Sequence, residues 1–151
     1  NRTPDVEVIF KFNGTRTNPA VDGYRPAHLI TDSYLTTGVH HYYKMNAVPP
    51  NGTATGTITF LSPEVYPHCL WIGKKINIQE GARVVGYATI TKIFTLSYAQ
   101  MVKLKLTYFQ YSPEIYEDVR RYVPAQMRSQ IDRELAPWIE NMTFTEKRLN
   151  R

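Results

Sequence analysis

Apolar and polar residues alternate in short runs through the first two thirds of the chain, which is the period-two signature of strands with one buried face. Val6-Glu7-Val8-Ile9-Phe10-Lys11-Phe12 is rich in β-favouring residues and ends at Asn13-Gly14, a strong turn pair. Thr55-Gly56-Thr57-Ile58-Thr59-Phe60-Leu61 alternates until Ser62-Pro63 stops it, and Leu70 to Ile78 alternates around Gly73. Arg83 to Phe94 reads as one long strand, with Gly86 predicting a bulge or bend. Several short strands broken by frequent turn signals predict an antiparallel barrel or sandwich.

From Leu96 onward the texture changes. Met101 to Tyr108 still alternates, with Val102, Leu104 and Leu106 on one face and Lys103 and Lys105 on the other, which predicts one more amphipathic strand. Ser112-Pro113-Glu114 then has the chemistry of a helix start: a capping hydroxyl, Pro at the first helical position, and an acid at the positive end. Ile115, Val119, Tyr122 and Val123 supply that helix with an apolar stripe. Pro124 opens a second helix in which Met127, Ile131 and Leu135 recur every four residues while Arg128, Asp132 and Arg133 face outward. Pro137 is expected to end or kink it. The polar Thr143 to Arg151 reads as a frayed helical turn. The organisation expected is therefore a β unit over residues 1–95 and an extension over 96–151 made of one strand and two or three short helices.

Length and composition narrow the class. The 151 residues suffice for one sizeable core, and 42% hydrophobic with 21% charged residues is ordinary for a folded globular chain. The net charge of +5 and a pI near 9.3 favour polyanions by steering. The excess is not concentrated: nine basic and six acidic residues lie in 1–95, nine and seven in 96–151. Cys69 stands alone, so no internal disulfide forms, and a reducing compartment, most simply the cytoplasm, is expected. Three Asn-X-Thr triplets, at Asn13, Asn51 and Asn141, weigh little beside that argument because the pattern is short. Charged or turn residues interrupt every hydrophobic stretch, so no spanning helix is expected.

An ordered set of segments carries a resemblance. Arg16-Thr17-Asn18-Pro19, Gly23-Tyr24-Arg25-Pro26, Thr36-Thr37-Gly38, Gln79-Glu80-Gly81-Ala82-Arg83-Val84-Val85-Gly86 and Thr91-Lys92-Ile93 follow one another as in the C-terminal domain of translation elongation factor Tu. The stretch from about Val6 to Phe94 resembles domain 3 of that factor, and Leu96 to Arg151 matches nothing in it. The resemblance implies a small antiparallel Greek-key β-barrel, in agreement with the strand pattern. It also implies a non-catalytic module that helps hold the T stem of aminoacyl-tRNA and meets other translation proteins. Of the family's tRNA-contacting positions, Thr37 and Gly81 are kept, while the Gln after Tyr-Arg-Pro is Ala27 and a strand-end Lys is Ser62. Loss of an amide and a cation weakens what phosphate and base-edge contacts supply. The factor's GTPase domain has no counterpart in the sequence. Gly73-Lys74 is followed by Lys75 rather than Ser or Thr and lacks the earlier glycine of a phosphate loop, so no nucleotide is expected.

Candidate residues follow from both readings. Thr37, Gly81, Arg83 and Lys92 are the expected RNA contacts, with tRNA or another RNA as partner. Tyr24 and Arg25 read either as a partner-binding corner or as a turn in which Tyr packs on the barrel and Arg bonds loop carbonyls. Lys44, Lys74, Lys75, Arg83 and Lys92 read either as a polyanion track or as a solvated face. Five of the eleven tyrosines lie in the extension. With Phe109 and interleaved Lys103, Lys105, Arg120 and Arg121 they suit base stacking or a protein interface, or simply packing. Tyr108, Tyr111, Arg120 and Arg121 are the partner-binding candidates there. His40, His41, His68 and Cys69 do not predict a metal site, since adjacent strand residues point to opposite faces. Cys69 beside Leu70 and Trp71 reads as a small buried hydrophobe rather than a nucleophile. A binding module without cofactor, metal or enzymatic activity is expected: an RNA binder, or else a protein-interaction or decoy module that engages a partner of the elongation factor.

Overall fold

The computed structural model describes residues 3–63 and 69–149, with side chains described to residue 142. The chain divides into two compact units, Asn1–Thr95 and Leu96–Arg151.

The first unit has eight strands: β1 (Val6–Phe12), β2 (Ala20–Val21), β3 (Ala27–Thr31), β4 (Tyr34–Tyr42), β5 (Ala47–Val48), β6 (Thr53–Phe60), β7 (Lys75–Glu80) and β8 (Arg83–Ile93). Six of them close an antiparallel barrel in the order β1-β6-β4-β3-β7-β8, while β2 and β5 pair as a separate ribbon. β3, β4 and β6 follow one another as neighbours and β1 returns beside β6, which is Greek-key connectivity. Alternation decides which residues fill the lumen. Val6, Val8, Phe10 and Phe12 of β1 are fully buried, as are Ile76 and Ile78 of β7 and Val85, Ala88 and Ile90 of β8. The expected small β-barrel is present.

Gly86 lies beside a register shift, where Ile78 pairs with Gly86 but Gln79 pairs with Val84, so Val85 is the extra residue of a bulge. The expected strand from Leu70 is shorter at its start. Trp71 and Ile72 are buried, but Gly73 has φ of +87° and the Lys74 amide donates to the Trp71 carbonyl, so a turn occupies the run and β7 begins at Lys75.

The second unit contains α1 (Tyr98–Tyr108), α2 (Pro113–Arg120) and α3 (Arg128–Leu149), with one 3-10 turn at Ala125–Met127. The expected strand at Met101 to Tyr108 is a helix. Its buried residues Ala99, Val102 and Leu106 recur at i, i+3 and i+7, and a capping box in which Ser97 and Gln100 satisfy each other's backbone amides starts the helix. Ser112 caps α2 as expected, accepting from the Ile115 amide at 3.1 Å. Pro124 precedes the 3-10 turn rather than the helix itself. Pro137 does not end α3, which runs through it to Leu149, so the segment expected to be a frayed turn continues the helix up to that residue. Val119, Val123, Ile131 and Leu135 are buried in this unit.

Candidate functional site

Strand register assembles one end of the barrel. Thr37 of β4 lies opposite Ala27 of β3, Ala27 opposite Gln79 of β7, and Gln79 opposite Val84 of β8. Directly opposed residues share a face, so Thr37, Ala27 and Gln79 form one row two strand spacings, roughly 10 Å, across, with Thr37 exposed, Ala27 half-buried and Gln79 buried. The β7–β8 turn continues that row. Gly81 supplies a φ of +63°, and the Gln79 side chain donates to its carbonyl at 3.1 Å. Thr37, Gly81 and Arg83 therefore belong to one neighbourhood.

Glu80 organises that neighbourhood. Its carboxylate accepts from the Arg16 guanidinium, from the Tyr24 hydroxyl and from Arg83, the last at 2.6 Å. Arg16 also lies 4.4 Å over the Tyr24 ring and donates to the Asn18 carbonyl at 3.2 Å. The hydrogen bond from Tyr24, reinforced by Arg83 and Arg16, holds the Glu80 carboxyl below the usual carboxylate range against the opposing effect of burial. Burial, with the hydrogen bond to Glu80, pushes the Tyr24 phenol up to about 12. At neutral pH two guanidiniums thus flank one carboxylate and a neutral phenol, a local charge of +1. Arg16, Thr17, Asn18, Glu80 and Arg83 line a concavity of about 180 Å³ there. Guanidinium forks, a hydroxyl and an amide are donors suited to phosphate-type oxygens.

Tyr24 and Arg25 part company. Tyr24 packs on the barrel, its ring 5.4 Å from His40 and 6.3 Å from Phe12. Arg25 is exposed, and among the described residues its side chain bonds no loop carbonyl. Lys92 is also separate from the Arg83 end. It sits nine residues along β8 from Arg83, roughly 30 Å at strand rise, opposite Glu7, with its ammonium 5.3 Å over Phe94. Of the five cations read as a polyanion track or a solvated face, Lys44, Lys75 and Arg83 are exposed while Lys74 is turned onto the backbone. Lys74 bonds the carbonyls of Ile30 and Cys69 at 2.7 and 2.6 Å, and Lys75 lies 4.1 Å over Tyr87.

In the second unit, Arg120 holds Asp132 in a two-pronged pair at 2.7–3.1 Å, and the Tyr116 hydroxyl donates to the same carboxylate at 2.7 Å. Arg121 pairs with Asp118 at 3.1 Å. Both arginines are therefore engaged within their own unit. Tyr108 is 60% exposed, and its ring lies 5.0 Å from that of Phe109, itself 43% exposed. Tyr111 lines a cleft between α2 and α3.

A buried polar chain escapes sequence reasoning. His28 and His40, both fully buried, meet Nε2 to Nε2 at 2.8 Å; His28 Nδ1 lies 3.2 Å from the Thr36 carbonyl and His40 Nδ1 2.9 Å from the Tyr42 hydroxyl. A carbonyl only accepts, so His28 Nδ1 must carry a proton. With neutral rings the order is then determined: Tyr42 donates to His40, His40 donates through Nε2 to His28, and His28 donates to Thr36. Burial lowers the His28 pKa to about 4, and burial with the neighbouring His28 charge holds His40 well below its ordinary value. His41, the next residue on the strand, faces outward beside Asp22 at 3.0 Å. His68 lies outside the described residues. Among the described residues no group of three His, Cys, Asp or Glu side chains is placed to hold a metal ion. The partly exposed Cys69 bonds Lys74 through its carbonyl.

No protein-family model matches the chain. Among the described residues, no helix is long and apolar enough to cross a membrane.

Proposed function

We propose that this chain is a non-catalytic binding module whose barrel contacts tRNA or another RNA through the end formed by Arg16, Thr37, Gly81 and Arg83, as the resemblance to elongation factor Tu domain 3 implies. The observation that carries this reading is the pairing of two guanidiniums around Glu80 beside an open concavity: local charge is positive, and the exposed Arg83 fork would exchange part of its bond to Glu80 for phosphate. Arg25, exposed just before β3, adds a second point of phosphate contact. Ala27 in the middle of the row brings no side-chain donor, so the contact is to backbone rather than to base edges. The single Cys69 suits a reducing compartment such as the cytoplasm. The exposed Tyr108–Phe109 pair supports the second reading, a protein-interaction module that engages a translation protein.

Filter binding with bulk tRNA at two salt concentrations separates the two. RNA binding should weaken steeply with salt, and Arg83→Ala should lower affinity severalfold while reducing the salt slope by about one phosphate's worth. Absence of binding at low salt overturns the RNA reading. An aromatic protein interface should change little with salt.

A further inference from the structure

The second unit carries a cleft that its own packing leaves open. Tyr116, Glu117 and Arg120 come from α2, and Asp132, Ala136 and Glu140 come from one face of α3 at i, i+4 and i+8. Tyr111, ahead of α2, and Ile139 complete the lining, and the volume is about 500 Å³. The core-facing stripe of α3, Ile131 and Leu135, is buried elsewhere, so this is a surface distinct from the core.

Charges in the cleft do not cancel. The Arg120 guanidinium is taken by Asp132, whose carboxyl is held low first by that bond and then by the Tyr116 hydroxyl. Glu117 and Glu140 are exposed and form no close ion pair among the described residues, although the Glu117 charge also acts on Arg120. Two tyrosine rings, a short apolar floor at Ala136 and Ile139, and the two exposed carboxylates line one space, with two negative charges in excess of the Arg120–Asp132 pair.

We infer that the α2–α3 cleft takes the cationic side chain of a basic protein segment, with arginine the best fit. Its three methylenes cover Ala136 and Ile139, its planar guanidinium stacks on a tyrosine face, and its donors reach the glutamates. The chain as a whole carries +5, so its overall field repels a basic peptide and any attraction must arise in the cleft. The same carboxylates repel RNA phosphate. This site is thus complementary in charge to the barrel end and does not depend on it.

The test is an anisotropy titration of the full chain with a fluorescein-labelled peptide Gly-Ser-Leu-Arg-Leu-Ser-Gly. A second peptide replaces arginine by citrulline, which keeps the shape and removes the charge. The citrulline peptide should bind about five- to tenfold more weakly, and the Glu117→Gln/Glu140→Gln double variant should bind the arginine peptide weaker by a similar factor. Tyr111→Ala should lose about threefold. Both glutamates are exposed, so the double variant keeps its fold, which its circular dichroism checks. Equal affinity for the two peptides, an unchanged double variant, or no saturation by about 1 mM peptide overturns the proposal. If the double variant binds bulk tRNA more tightly while neither protein binds the peptide, the cleft faces RNA and the proposal also fails.

Discussion

Gly86 shows how little room one atom has in a closed barrel. A Cβ built there would lie 2.4 Å from the Lys11 carbonyl oxygen and 2.8 Å from the Phe12 Cα, both backbone, so no side chain can swing aside to make space. Gly86→Ala should cost about 1–3 kcal/mol, read as a lower urea midpoint, and an unchanged midpoint would mean that β1 and β8 can separate freely. Glu80 poses the opposite case, a residue whose removal should help. Its carboxylate occupies Arg16, Arg83 and Tyr24 together. Glu80→Gln should raise the local charge by one and tighten tRNA binding a few-fold at low salt in the same filter assay. Weaker binding would show that Glu80 positions the guanidiniums rather than competing with phosphate for them.

At the scale of elements, α1 is the most instructive. Val102, Leu104 and Leu106 alternate as a strand would, yet Ala99, Val102 and Leu106 also match a helical stripe, and a short apolar run satisfies both periods. The Ser97–Gln100 capping box, present in the sequence, is the signal that separates the two. Ser97→Ala should destabilise the helical unit by about 1 kcal/mol, seen as a lower midpoint in far-ultraviolet circular dichroism. Pro137 lies deep inside α3, where it cannot donate to the Arg133 carbonyl, and the helix continues on both sides of it. Pro137→Ala should therefore stabilise α3 and raise the same midpoint.

For the whole molecule, the buried His28–His40–Tyr42 chain links barrel stability to pH. Unfolded histidine titrates near 6.5. Inside the barrel His28 is lowered to about 4 and His40 further below its ordinary value, because burial disfavours the charged ring. The unfolded chain thus binds protons more readily than the folded one. Stability is complete above about pH 6.5 and falls as pH drops toward 4, with His28 alone contributing about 3 kcal/mol of that loss. Glu80 and Asp132, whose carboxyls are held low, stabilise above the ordinary carboxylate range and add to the loss only at lower pH. Thermal melts at about pH 7, 5.5 and 4.5 should show a falling Tm across the upper interval. His28→Phe/His40→Phe should flatten that slope, and a wild-type Tm constant down to pH 4.5 would refute the assignment.

The amino-acid sequence by itself determined the antiparallel strands and left barrel or sandwich open. Period-two alternation survives any tertiary arrangement that buries one face of a sheet, and Asn13-Gly14 and Ser62-Pro63 mark where strands must end. It also marked Thr37, Gly81 and Arg83 as candidates, and strand register brings these three to one end. Only the tertiary structure decided the remainder. Closure of six strands sets residues far apart in the chain against one another, so Arg16 meets Glu80, and His28 meets His40 inside a lumen that no local pattern describes. The same closure leaves Lys92 far along β8 and turns Lys74 onto backbone carbonyls, because a cation's position depends on strand direction and tilt as well as on sequence. Between Met101 and Tyr108 the periodicity of apolar residues fits strand and helix alike, and burial of the helical stripe agrees with the start that the Ser97–Gln100 capping box marks.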